Sequence, residues 1–299
     1  MHRSRILAAL GLIIALSACE STKQTLIETN KDLQTFFGTD TAIQPARGHE
    51  PPSYAEGEEL YRRALAHKER GETKEALGVL RRAAELGHRD AAFELGESYR
   101  RGIGVEQDLS AAARYYGDAA VAGHADGQYR LAEAFANGLG VERDLSWAVR
   151  WYGKAAYQQH AKAQFAYGVL LGTGKGLAKN KPHAYGWLIL AEKNGVSRAT
   201  PTRQMIEKQI TAEQRVEMDL WVESFSPQGG DPLTDPSTVL YVQHQLAELG
   251  YKPGPEDGIL GHQSRTAINE FQRDQGLRNG NITAQFLERL LIESRKTRS

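Results

Sequence analysis

The stretch RGIGVEQDLSAAARYYGDAA at residues 101–120 returns as NGLGVERDLSWAVRWYGKAA at residues 137–156. Gly102 and Gly138, Gly104 and Gly140, Asp108 and Asp144, Ala112 and Ala148, Tyr116 and Tyr152, and Ala119 and Ala155 are each separated by 36 residues. One further step of the same length reaches Gly174, Gly176, Asn180, Ala184, Trp187, Leu188 and Ala191, a fainter third copy. A step backwards reaches Ala76, Ala83, Ala84, Gly87 and His88, without the GxGV insert. A fixed period in this range is the mark of a stacked array, whose terminal units are usually atypical. About four units therefore fit between Glu58 and Arg198, and the expected fold class is all-α, an α-solenoid.

Each unit reads as two helices. Ala112, Tyr115, Ala119 and Ala122 recur at i, i+3, i+7 and i+10, one face of a helix. Asp108 or Ser110 can accept hydrogen bonds from its free N–H groups, and Gly123 can close it in a left-handed conformation. The preceding helix carries Ala92, Leu95 and Tyr99 and ends near Gly102. The glycines of GIGV read as turn residues. A phosphate-binding reading is weak, because no strand precedes them and no Lys-Ser/Thr follows.

The pattern LGESYRRGIGVEQDLSAAARYYGDAAVAGHADGQYRLAEAF resembles the Sel1-like repeat, a relative of the tetratricopeptide repeat with a longer inter-helix loop. The segment Ile210–Phe225 resembles the closing helix that follows such arrays, and its Thr211-x-x-Gln214 start fits a capping box. This sets an array over residues 58–225. The resemblance implies a concave, helix-lined surface that binds other proteins, and it implies no catalysis.

The amino-terminal end has a different grammar. Arg3 and Arg5 precede an 11-residue apolar run, Ile6–Leu16, which is the pattern of a secretory signal peptide and too short for a permanent bilayer span. Leu16-Ser17-Ala18-Cys19 resembles the bacterial lipobox, in which the cysteine is lipidated and becomes the new amino terminus. Cys19 is the one cysteine of 299 residues. The resemblance implies a lipid-anchored envelope protein. Glu20, where an aspartate would mark retention in the inner membrane, points to the outer membrane facing the periplasm. Residues 20–57 are polar and contain Pro45, Pro51 and Pro52, and read as a flexible tether; 38 such residues would span roughly 35 Å.

Beyond a linker at residues 226–236, with three prolines and two glycines, three short apolar faces follow. They are Val239, Val242, Leu246 and Leu249; Ala267, Ile268 and Phe271; and Phe286, Leu287 and Leu290. The spacing through Leu249-Gly250-Tyr251, Gly254, Asp257-Gly258, Gly261, Arg265-Thr266-Ala267, Phe271-Gln272 and Gly276-Leu277 resembles the small three-helix peptidoglycan-binding domain attached to many cell-wall hydrolases. Residues 237–293 are assigned to it, with a basic tail at 294–299. Gly250, Gly254, Gly258 and Gly261 are expected to serve turns. The resemblance implies wall binding; with the turn glycines and the core residues Leu246, Ile268 and Phe271 set aside, Tyr251, Arg265 and Gln272 remain as groups near one groove. Asp257 either joins them or holds the turn before Gly258. An arginine fork matches a muropeptide carboxylate, and a tyrosine face suits a sugar or a stem peptide.

No HExxH, GxSxG or SxxK motif is present, so no catalytic residue and no cofactor is expected. His88, His124 and His160 also recur at 36 residues. Equivalent positions in successive units lie roughly 16–20 Å apart, whereas zinc ligands sit about 2 Å from one ion, so these are expected helix-start residues and not a metal site. Lys plus Arg and Asp plus Glu both number 37, which leaves no global charge to favour nucleic acid. The expectation is a non-enzymatic scaffold whose partners are peptidoglycan, a membrane reached through the lipid and an unidentified envelope protein on the repeats. The rivals are a wall hydrolase or its direct activator, and an adaptor whose last domain no longer holds the wall.

Overall fold

In a computed structural model, the described residues are 52–225, 235–256, 258–278 and 280–297, and among them lie thirteen helices and no strand. Cys19, the signal segment and most of the tether fall outside the described residues. The first pair is α1 (Pro52–Glu69) and α2 (Thr73–Glu85), so helix begins inside the stretch assigned to the tether. Three further pairs follow: α3 (Arg89–Arg101) with α4 (Leu109–Val121), α5 (Ala125–Asn137) with α6 (Leu145–Tyr157), and α7 (Ala161–Thr173) with α8 (Lys181–Lys193). Then come α9 (Ala199–Glu207) and α10 (Ala212–Ser224). None of the described helices is long and apolar enough to cross a membrane.

The repeated residues do the same work in each copy. Asp108, Asp144 and Asn180 cap α4, α6 and α8, each accepting backbone N–H groups of the first turn. At the other end, Gly102, Gly138 and Gly174 stop α3, α5 and α7 in the left-handed region, with φ of 70°, 70° and 72°. The second glycine of each loop has a further duty. A Cβ on Gly140 would overlap the carbonyl oxygen of Leu109 at the start of α4, and one on Gly176 would meet the backbone of Leu145 at the start of α6. Each loop therefore rests on the preceding unit's second helix, and only glycine permits that approach.

The three periodic histidines join neighbouring units. His88, His124 and His160 cap α3, α5 and α7 through Nδ1, which accepts the N–H of Ala91, Gly127 and Ala163. That leaves the proton on Nε2, which donates to Glu58, Asp90 and Asp126 of the preceding pair at 3.0, 3.2 and 3.2 Å. Each ring also stacks on an aromatic of that pair, Tyr61, Phe93 or Tyr129, at 4.4–4.5 Å between centroids. At the far end, Thr211 and Gln214 form the reciprocal capping box of α10. Trp221 then packs edge-on against Trp187 and lies over Gly186, closing the stack.

The C-terminal region is the three-helix unit α11 (Pro236–Glu248), α12 (His262–Asp274) and α13 (Ala284–Lys296). The apolar residues named from its pattern, apart from half-buried Leu249, form its core at 2 % exposure or less. It does not stand apart from the repeats. Helix α11 is buried on both faces: Val239, Val242 and Leu246 turn inward, while Ser237, Leu240, Tyr241 and Gln245 are also covered. Helix α11 lies against α6, and one apolar cluster runs without a break from Ala112 in α4 to Leu291 in α13.

Two predictions follow from the stacking geometry. Gly140→Ala should cost about 3 kcal/mol or more, from left-handed strain plus a backbone overlap, whereas Gly123→Ala, also left-handed but in open space, should cost about 1 kcal/mol; urea unfolding separates them. Burial holds His124 and His160 below the usual histidine range against the pull of their aspartates. The unfolded chain then takes up protons first, so their contribution is lost as pH falls below about 6.5. Asp118, raised to about 6 by burial, acts in the opposite direction over the same range. A His124→Asn/His160→Asn variant should therefore lose less stability than the parent between pH 7 and pH 5, measured by thermal unfolding at both.

Candidate functional site

On α11, Asp235 is the N-cap and Pro236 the first helical residue, a start in which the missing proline N–H costs nothing. One carboxylate oxygen of Asp235 accepts the N–H groups of Ser237 and Thr238. The other takes Lys154 Nζ from α6 at 2.7 Å. Burial alone would raise the Asp235 pKa, but Lys154 and the hydrogen bonds from Ser237 and Thr238 hold it below its usual value. One turn earlier on α6, the Arg150 guanidinium lies between the rings of Trp147 and Trp151, 4.9 and 4.7 Å from their centroids, and its Nε donates to Thr238 at 3.2 Å. Burial pushes the Arg150 pKa down to about 10, so it remains charged at neutral pH. Tyr241 packs on Trp147 at 5.1 Å.

The small domain also carries an open surface. Between α11 and α12, Gln243 accepts the N–H of Gly258 and donates to the carbonyl of Ile259 and to Ser264, and Ser264 donates to the Pro253 carbonyl. Gly250, Gly254 and Gly258 make left-handed turns as expected; Gly261 instead is an extended N-cap of α12, a conformation open to any residue. The turns bring Tyr251 and Lys252 alongside His262, Gln263, Thr266 and Glu270 of α12 around a shallow groove of about 520 Å³. Tyr251 Oη donates to Asp274 at 2.9 Å, and its ring meets Phe271 edge-on at 5.7 Å. Burial and then the Asp274 carboxylate push its pKa up to about 12, which keeps the hydroxyl protonated. The groove thus offers an aromatic flank, neutral polar groups, one ammonium and one carboxylate.

Of the residues expected at this surface, Tyr251 lines it. Arg265 is exposed on α12 but lies off the face shared by residues 262, 263, 266 and 270. Asp257 lies outside the described residues. Gln272 requires a correction: it is 1 % exposed, and its amide donates to the Asn281 carbonyl and accepts the Gly280 N–H, so it pins a loop and faces no groove. Lys252, His262, Gln263 and Glu270 carried no motif of their own, and Thr266 stood in the family spacing without an assigned role. Their convergence depends on the turns between α11 and α12. Among the described residues no group of three His, Cys, Asp or Glu is placed to hold a metal ion.

A solenoid of helix pairs carrying a small three-helix domain with an open polar groove defines the class of protein. The family model for the Sel1 repeat matches residues 89–124, 125–160 and 161–196, and the family described as "Putative peptidoglycan binding domain" matches residues 236–290. The chain therefore carries Sel1 repeats and a peptidoglycan-binding-type domain; the pair α1–α2 precedes the matched repeats. Among curated proteins it is similar to the localization factor PodJL of Caulobacter vibrioides, 32% identical over 117 residues. That match covers 36% of this chain and 12% of the relative, so the chain spans about an eighth of the curated relatives it matches. Among solved structures, a Sel1 repeat protein from Oxalobacter formigenes is 33% identical, with 42% of this chain and 94% of that chain covered, at a TM-score of 0.40. A protective antigen of uropathogenic Escherichia coli displaying an SLR fold is 22% identical, with 63% and 46% covered, at a TM-score of 0.36.

Proposed function

We propose that this chain is a non-enzymatic lipoprotein of the cell envelope that holds peptidoglycan through its C-terminal domain and presents a protein partner with its Sel1 repeats. The observation that carries the reading is the groove. Its lining residues Lys252, His262, Gln263 and Thr266 are exposed, and its Tyr251 flank with hydroxyl, amide and charged groups suits a sugar or a stem peptide. Arg265, exposed on the same helix, is proposed as a secondary contact, and Asp257 is proposed as a further one from the sequence alone. Export and anchoring rest on the sequence: the basic start, the short apolar run and Cys19 supply the lipid, Glu20 points to the outer membrane, and the polar stretch after it supplies reach into the periplasm. The helix-lined surface of the repeats supports a protein partner, and the name of the localization factor, as a relative of part of the chain, agrees with a placing role.

The test is co-sedimentation of a soluble form, Glu20–Ser299, with purified sacculi. Point substitutions are preferable to removing the domain, because its removal would uncover Trp147 and Trp151 on α6 and make the remainder adhesive. Lys252→Glu combined with Thr266→Trp, both at exposed groove positions, should reduce the apparent affinity at least tenfold, or ~1.4 kcal/mol, with unfolding unchanged. Retention of full binding would remove the groove from the mechanism. Absence of binding by the parent would leave a lipid-anchored adaptor, and release of soluble muropeptides would identify a hydrolase.

A further inference from the structure

Helices α4 and α6 occupy the same place in successive repeats, and a comparison of the two isolates what is special about α6. Leu, Ser, Ala, Arg, Tyr, Gly and two further alanines recur at equivalent positions. The departures are Ala111 against Trp147, Ala113 against Val149, Tyr115 against Trp151, Asp118 against Lys154 and Val121 against Tyr157. Trp147 and Lys154 reach α11 directly, and Trp151 forms one wall of the slot that holds Arg150 against Thr238. The shared arginine makes the point most sharply, since Arg114 on α4 is exposed while Arg150 on α6 is 4% exposed beneath α11. The small domain carries matching features: the buried residues on both faces of α11 are apolar or neutral, and the carboxylate that caps it also receives Lys154.

Two more contacts set the orientation as well as the position. Glu256, in the loop that leads to the groove, accepts the N–H of Ala178 in the loop between α7 and α8 and is held by His244. Arg295 near the end of α13 pairs with Glu142 in the loop between α5 and α6. The domain is thus held at three separate places on two consecutive repeats. The helices approach closely at one spot, where a Cβ on Gly153 would overlap that of Ser237.

We infer that the outer face of α6 is a dedicated docking surface for the chain's own C-terminal domain, and that the two form a rigid bracket in solution. The groove is then held at a fixed orientation to the repeats, and α6 is withdrawn from the surface available to other proteins. What the groove carries rests on the wall-binding reading; the docking itself does not, and it is measured without any wall component.

The soluble form Glu20–Ser299 has no cysteine, so spin labels can be placed at Glu106→Cys and Arg273→Cys, both exposed. The expected result is one narrow distance distribution. Gly153→Ala, which favours the helix but blocks the approach, should broaden it, and Ser237→Gly in the same chain should restore it, which excludes general unfolding of the repeats as the cause. Lys154→Glu, which opposes Asp235 with a second negative charge, should broaden it independently. A broad distribution in the parent, or a narrow one in both Gly153→Ala and Lys154→Glu, would overturn the inference. A parent that is narrow yet fails to bind sacculi would leave the docking intact and remove only the wall.

Discussion

Each helix pair in this protein has an apolar face that it cannot cover by itself, and stacking on the next pair is what covers it. Thirteen-residue helices such as α3 to α8 are marginal in isolation, so their stability has to come from tertiary burial. The geometry of that burial is set by small residues. The second glycine of each loop lets the chain rest on the previous unit, against the backbone at Gly140 and Gly176 and against the Thr73 and Leu77 side chains at Gly104. The histidine that opens each following pair reaches back to a carboxylate and an aromatic ring. Solenoids of this kind are held by nearest-neighbour terms, so a change at one junction weakens the stack locally rather than diffusely.

Against this regular background α6 stands out, because it is buried on nearly every side. A helix covered all round belongs to an interior, and here the interior is completed by α11. The contact combines aromatic packing with one buried ion pair and a stacked guanidinium. Such charged groups add little net stability over an apolar contact of the same size, but they are costly to separate from their partners and they discriminate among registers. That property suits a contact whose task is to set one orientation. It leaves Lys252, His262, Gln263 and Thr266 of the Tyr251-flanked groove exposed.

Much of the fold could be read from the residues alone, because the turn and cap chemistry recurs with the period. Asp108 was one of two candidate caps and is the one used. The second role of the histidines was hidden, since their carboxylate partners lie in the preceding unit and meet them only after stacking. Gln272 was misread as a surface group although it shares a helix face with Ala267, Ile268 and Phe271, which was the available sign of burial. The docking also had a sign, in the unbroken apolar run Val239-Leu240-Tyr241-Val242 and in the tryptophans that distinguish α6 from α4. Its meaning required both elements side by side. The groove was the least legible part, because four of its side chains have no pattern and are brought together with the rest by three left-handed turns.

The most direct test of the account is amide hydrogen exchange on the soluble chain, with and without soluble disaccharide-peptide fragments of the wall. Added protection is expected at residues 250–252 and 262–270, with exchange in α6 and α11 already slow and unchanged. Protection confined to the repeats, or a loss of protection in α6 and α11 when the fragments bind, would contradict it.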